Sequence, residues 1–346
     1  MTIDLRFRTS MFALGLLILP VSKASAADFK FDGSVSIGGR VKGDKSGEAQ
    51  HEAKLDLSTK RKDGTRAVIE LEGESDDDRV KLREAFIDHR FAGDGEKDAD
   101  TAQSTLVFGQ TKKILGLEYE NGDKARPLLR RSIVYRRMEE FGYVGRELIV
   151  RYETESTPTT AGYSLGGGYA RSLDAHLLAS LRSAGVDGEA SSPWRTGAWI
   201  LLQRDRIDGG NQFAYALMTS LWRRTESRTT EVEAVYGLDP FESEFHRLFG
   251  DKKPRNFAGL KLLHAWRTGS DLDKGLEPIT SASVLVHDVD DADFNSLSLL
   301  LGMNWRFSKE LVLGFNVEGI ATNSRLDKAK RAYEESNVGL ELSYYF

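Results

Sequence analysis

The feature that most constrains this chain is a two-residue alternation of apolar and polar side chains, renewed in run after run of about ten residues. It begins with Phe29, Phe31, Gly33, Val35, Ile37, Gly39 and Val41, interleaved with Lys30, Asp32, Ser34, Ser36, Gly38, Arg40 and Lys42. A helix would scatter those apolar residues around its axis, whereas an extended strand sets them all on one side. The pattern returns as His51, Ala53, Leu55 and Leu57 against Glu52, Lys54, Asp56 and Ser58, and again as Ala67, Ile69 and Leu71 against Arg66, Val68, Glu70 and Glu72. Lys62-Asp63-Gly64 between those two runs is a hairpin signal. The chain ends on Val338, Leu340, Leu342, Tyr344 and Phe346, separated by Asn337, Gly339, Glu341 and Ser343. About sixteen such runs can be placed, each near the length a tilted strand needs to cross a bilayer.

Two physical arguments turn this pattern into an architecture. The polar faces carry many full charges, which suits a watery lumen and is costly in a packed core. The apolar faces end in aromatics such as Trp194, Tyr344 and Phe346, as where a barrel meets lipid headgroups. A strand edge in lipid leaves backbone groups unpaired, so the sheet has to close. The expectation is therefore all-β: a transmembrane antiparallel β-barrel of about sixteen strands. A secreted soluble sandwich or solenoid is the weaker alternative. Short links after residues 60 and 307 alternate in parity with the long polar links 112–140, 239–255 and 322–335, which puts the long ones at the extracellular end.

The N-terminus agrees. Arg6 and Arg8 precede an apolar stretch at 11–20 (MFALGLLILP) and an Ala24-Ser25-Ala26 cleavage signal. Residues 1–26 read as a secretory signal peptide, and 27–346 as a single barrel domain exported through the Sec pathway. Cysteine is absent, so neither disulfides nor thiolate metal sites are expected.

Within a chain of formal net charge −5, the stretch 110–137 stands apart. It holds Lys112, Lys113, Lys124, Arg126, Arg130, Arg131, Arg136 and Arg137 against only Glu118, Glu120 and Asp123. A solvated basic loop is the bland reading. Confined in a lumen, the same charges would gather small anions, because guanidinium forks suit phosphate, sulfate and carboxylate. The candidate constriction is Lys112, Lys113, Arg126, Arg130, Arg131, Arg136 and Arg137, paired in part with Glu118, Glu139 and Glu140. Leu128-Leu129 offer an apolar anchor to the inner wall. Lumen carboxylates (Asp56, Glu70, Glu72, Glu84, Asp88, Glu341) and lumen bases (Lys54, Arg66, Arg83, Arg151, Arg306) also fit a general pore for small polar solutes.

The segment Leu82-Arg83-Glu84-Ala85-Phe86-Ile87-Asp88 resembles the strand before the third loop of the phosphate-selective porin O/P family. The likeness continues through 106–110 (LVFGQ), Lys112, Gly116-Leu117-Glu118 and Arg131-Ser132 to Gly145 and the run 147–152. It covers about residues 50–155; Ile114-Leu115 and Arg130 depart from the family pattern. The resemblance implies a Gram-negative outer-membrane porin, usually trimeric, a barrel of sixteen strands with an inward-folded third loop that narrows the pore. Its partners would be outer-membrane lipid and lipopolysaccharide and the small anions or polar solutes that cross it. No nucleic acid, cofactor or metal is expected.

Other classes were weighed on residues. His51, His89, His176, His246, His264 and His287 are scattered singly, with no H-E-x-x-H and no G-x-S-x-G, so a barrel hydrolase is disfavoured. His264 beside Trp266 reads as an interfacial or lumen residue. The acidic turns Asp76-Asp77-Asp78 and 288–293 (DVDDAD) read as solvated tips, with a bridging divalent cation as the alternative. Phe241, Phe245, His246, Leu248 and Phe249 fit a short amphipathic helix that either packs over the mouth or docks a partner, as in a plugged structural barrel.

Overall fold

A computed structural model describes residues 28–42, 47–60, 64–74, 80–91, 103–120, 128–156, 159–167, 175–183, 194–207, 210–239, 255–268, 274–291, 295–322 and 336–346. The leader at 1–26, the turn 76–78, and the link 240–254 with its aromatic run lie outside the described residues.

Sixteen strands form one closed sheet. They are β1 Asp28–Lys42, β2 Gly47–Lys60, β3 Thr65–Glu74, β4 Val80–Phe91, β5 Gln103–Lys113, β6 Gly145–Ser156, β7 Thr159–Gly167 and β8 Ala175–Ser183. The second half is β9 Arg195–Ile207, β10 Gly210–Arg224, β11 Arg228–Asp239, β12 Arg255–Trp266, β13 Gly275–Val286, β14 Asn295–Arg306, β15 Leu311–Thr322 and β16 Asn337–Tyr345. Every strand pairs antiparallel with its sequence neighbour, and β1 closes on β16 from Ser34↔Tyr345 to Lys42↔Asn337. Gly33 and Phe346 exchange backbone hydrogen bonds at 3.1 and 3.0 Å, so the last residue seals the seam. All sixteen ladders are satisfied within the sheet, and no edge is left to template aggregation.

The alternation read from the sequence sets the two faces. Phe29, Phe31, Ile37, Leu299, Leu301 and Leu340 point outward and are more than half exposed. Registers such as Ser36↔Glu52 and Lys54↔Glu72 put the polar partners inside. Outward aromatics crowd the short-turn end: Trp305 stacks on Phe307 at 4.9 Å, Tyr344 on Phe346 at 6.3 Å, and His264 on Trp266 at 5.3 Å. His264 is thus an outer-face residue, hydrogen-bonded through Nδ1 to Thr230 Oγ1 at 2.8 Å.

Three differences from the sequence reading have physical causes. First, β5 runs on through Lys112 and Lys113, because Lys112↔Arg146 and Lys113↔Gly145 still pair with β6; the long link is 114–144. Second, links between β4 and β5 and between β8 and β9 are long although they lie at the turn end, so length alone does not sort the two ends. Third, the inner face is not charged throughout. Leu178, Trp199, Leu201, Ala214, Ala216, Met218, Trp222, Val235, Phe257 and Leu285 project inward from β8 to β13 and are buried. Charge is displaced there because something other than water occupies that side.

Candidate functional site

The occupant is the link between β5 and β6. It contains two helices, α1 Leu117–Glu120 and α2 Ile133–Glu140. The start of α2 is set by Ser132, whose Oγ accepts the Tyr135 N–H at 3.5 Å. Its end is a Schellman turn: Gly142 N–H donates to the Glu139 carbonyl (3.0 Å) and Tyr143 N–H to the Met138 carbonyl (2.9 Å), with Gly142 at φ 72°. Met138 and Tyr143, brought together by that turn, are both fully buried. Val134, Met138 and Phe141 follow at i, i+4 and i+7, one apolar stripe laid on the bed from β8 to β13.

Polar groups fix the position of that stripe. Glu233 on β11 accepts from Tyr135 Oη (2.6 Å), Leu117 N–H (2.8 Å) and Ser220 Oγ (3.1 Å). Lys261 on β12 reaches Glu118 (2.9 Å), Glu231 (3.0 Å) and Glu233 (2.9 Å), all four side chains at most 3 % exposed. Glu118 in turn accepts from Ser132 N–H at 3.3 Å, tying α1 to the start of α2. Burial pushes the Tyr135 hydroxyl pKa well up, with the carboxylates of Glu233 and Glu118 adding to it. Burial also raises the Glu120 carboxyl, opposed by Arg182, which hydrogen-bonds it.

The basic residues singled out in the sequence divide into several groups. Arg130 and Arg136 converge on Glu318 of β15, at 3.6 and 2.5 Å. Burial pulls the Arg136 pKa down, and Glu318 pulls it back up. Arg131 lies 4.0 Å over the Tyr119 ring, donates to its hydroxyl (2.9 Å) and meets Glu139 (3.3 Å). Arg137 is fully buried beside Glu140 and over Phe141. Lys113 is 1 % exposed and bonded to Glu147 (2.5 Å) and to the Gly142 carbonyl; Glu147 also meets His176 at 2.7 Å. Lys112 approaches Glu84 at 3.6 Å. Arg126 lies outside the described residues.

The positive excess of the segment is therefore met by carboxylates of the wall, Glu84, Glu147 and Glu318, that no inspection of the segment itself reveals. Lys113, Arg136 and Arg137 are buried in contacts that tie the loop to itself and to the wall. Arg130 stays partly open, with its side chain 16 % exposed. It lines a small cavity of about 20 Å³ with Arg40 of β1 and Glu341 of β16. Toward the turn end, a second cavity of about 90 Å³ is lined by Glu52, Lys54, Arg306, Glu341 and the hydroxyls of Ser34, Ser36, Ser343 and Tyr345. Arg40, Glu233, Lys261 and Glu318 were not singled out from sequence. Their signal is parity: Glu231 and Glu233 alternate with Val232 and Ala234, so two carboxylates had to face inward.

Two further inward pairings match opposite charges across strands. Arg66 meets Asp88 at 2.6 Å and Arg83 meets Glu72 at 2.5 Å. His287 Nε2 lies 3.1 Å from Ser296 Oγ, but both are at most 1 % exposed, and a substrate has no approach to them. Among the described residues no group of His, Asp and Glu could hold a metal ion. Asp288 instead accepts from Arg255 and from the Asp290 N–H.

Solved structures match this arrangement over nearly the whole chain. An outer membrane protein of Vibrio cholerae, OmpT in its trimer form, superposes with TM-score 0.63 at 12 % identity, covering 93 % of this chain and 100 % of its own. It is the fold of outer-membrane barrels. The outer membrane channel DcaP of Acinetobacter baumannii gives TM-score 0.62 at 14 % identity, covering 94 % of this chain and 99 % of that one. Pseudomonas putida OprB gives 0.58 at 10 % identity over 92 % and 94 %. No protein-family model matches the chain, and no curated protein matches it in sequence. The resemblance to the phosphate-selective porin O/P family thus rests on the quoted motif residues.

Proposed function

We propose that the chain is an outer-membrane porin of a Gram-negative cell, a water-filled channel for passive diffusion of small solutes that favours small anions such as phosphate. The outward apolar band supports a lipid and lipopolysaccharide surround, and the trimer form of OmpT supports a homotrimer. The single observation behind the anion preference is the outer cavity. Its charged lining is Arg40 and Arg130 against Glu341, two guanidiniums to one carboxylate, on the side of the lumen away from the apolar bed. Several moderate basic contacts suit conduction better than one tight site, because the solute must also leave. The reading assigns no catalytic step to the chain. Reversal potentials of reconstituted channels in a salt gradient test it: wild type should prefer anions and Arg130→Gln should move toward neutrality. Cation preference in the wild type refutes the anion reading, and a folded protein that never conducts refutes the channel.

A second reading, a general pore for small polar solutes, draws on the inner cavity. There Glu52 and Glu341 balance Lys54 and Arg306 amid hydroxyls, which selects weakly by charge. Equal permeability to both ions would favour it.

A further inference from the structure

The loop touches the wall a second time, away from its apolar bed. Leu128 is 3 % exposed and packs with Leu263, Ala265, Ile279 and Leu300 on the inner faces of β12 to β14. The next residue, Leu129, turns to β15 and β16, where Gly314 and Gly339 leave the inner face without side chains. A Cβ on Gly314 would meet Leu129 Cδ2 at 2.6 Å, and one on Gly339 would meet Cδ1 at 3.7 Å. Leu129 thus fills a notch that glycine at 314 holds open. Its backbone is seated on the same wall. With the Asn316 amide oriented to satisfy both of its ends, its oxygen accepts the Leu129 N–H at 2.9 Å and its nitrogen donates to the Phe315 carbonyl at 2.8 Å.

The two cavities lie on either side of this contact, and Leu129 lines both. Along β1 the outer one touches Gly39 and Arg40, the inner one Ser34 and Ser36; along β16 they divide at Glu341, which they share. The outer space measures about 20 Å³ and the inner one about 90 Å³, and Leu129 in its notch stands where they adjoin.

We infer that Leu129 is the specificity-determining residue of the conduit: seated against Gly314 and Gly339 it parts the basic outer cavity from the hydroxyl-lined inner one, and its displacement joins them. The inference rests on the reading of the chain as a diffusion channel. Apolar constrictions gate by dewetting, since a leucine side chain offers the water column no hydrogen bonds at its narrowest point. Charge is then sorted above the neck, by Arg40 and Arg130. Size and hydration are sorted at the neck itself.

The experiment is planar-bilayer recording on full-length refolded protein, with folding checked by heat-modifiable gel mobility. Three forms are compared: wild type, Leu129→Ala, and the double variant Leu129→Cys/Gly314→Cys. The chain has no cysteine of its own to compete. Leu129 Cγ, where a cysteine sulfur would sit, is 3.4 Å from a Cβ at 314, close enough for a bridge to form. Leu129→Ala should raise single-channel conductance roughly twofold or more and admit larger neutral sugars in liposome swelling. The oxidised double variant should conduct less than wild type, and reduction should restore it. If Leu129→Ala and the oxidised variant, its bridge verified by mass, both conduct as wild type does, the inference is overturned while the channel reading stands. If folded wild type and Leu129→Ala both fail to conduct, the channel reading falls and takes the inference with it.

Discussion

Replacing Lys261 with methionine should release the inserted loop without dismantling the barrel. Lys261 is fully buried and within 3.0 Å of three carboxylates, Glu118, Glu231 and Glu233. Arg224 also meets the cluster, 2.7 Å from Glu231, and Arg136 adds its field at Glu118. Methionine keeps the length of the side chain but leaves those carboxylates facing one another in a dry site. Removing one partner from a buried ion pair costs about 3–5 kcal/mol. Glu231 and Glu233 are held by strand ladders on both sides, whereas Glu118 belongs to a four-residue helix. The cheapest relief is for Glu118 to leave, carrying α1 and α2 with it. At about 1.4 kcal/mol per tenfold, the docking equilibrium should move by roughly a hundredfold to a few thousandfold. Amide hydrogen exchange reads this directly, with α2 amides accelerated by that factor and β11 and β12 amides unchanged. Adding Glu118→Gln should recover part of the protection, because the amide oxygen can still accept the Ser132 N–H without carrying charge. Exchange in α2 within about threefold of wild type would refute the claim that this ion cluster holds the loop.

Two other outcomes follow from the same loop. Gly142→Ala places a side chain at φ 72°, costing about 1–2 kcal/mol, and should speed exchange in the last turn of α2 while leaving α1 unaffected. Glu120 gives a pH dependence. Its docked pKa is raised by burial, so the docked loop holds this proton more tightly than the free loop does. Its contribution to docking is complete below the ordinary glutamate range and is lost as pH climbs from there through the raised value. Exchange of α1 amides should therefore quicken across that window in wild type and show a smaller dependence in Glu120→Gln.

Much of the barrel was legible because the code for it is local. Phe31 and Asp32 need only their neighbours to declare opposite faces, and sixteen such declarations with no free edge leave closure as the remaining option. The β5–β6 link was harder, for three separate reasons. Ser132 and the 134/138/141 stripe do announce a helix, but a dense run of arginines masks that period. The carboxylates that receive those arginines lie far away in sequence: Glu318 is reached from Arg136 only because β15 stands across the lumen. The bed for α2 is carried by strands with two apolar faces, such as Ile200 and Leu202 outward with Trp199 and Leu201 inward. Alternation fails there, and the failure is itself a signal of something packed inside.

That failure explains how the β5–β6 link comes to lie against one sector of the barrel wall. An insert lying free in the lumen would have to be solvated on every side, and its helices are too short to be stable alone. Here α2 buries one stripe against β8 to β13 and is pegged there through Glu233 and Lys261. The inner faces of β1 to β4 and of β14 to β16 carry polar and charged side chains instead, several of them, such as Glu72, Glu84, Asn316 and Glu318, themselves buried. The loop's basic residues face the boundary between these two sectors. Buried in the apolar one they act as pegs, as Lys113 and Arg137 do; at that boundary Arg130 stays partly open and lines the outer cavity. On the channel reading proposed above, selectivity would come from the few cations at this boundary rather than from the total charge of the loop. Neutralising Arg137 should thus disturb folding of the loop, whereas neutralising Arg130 should change which ions cross.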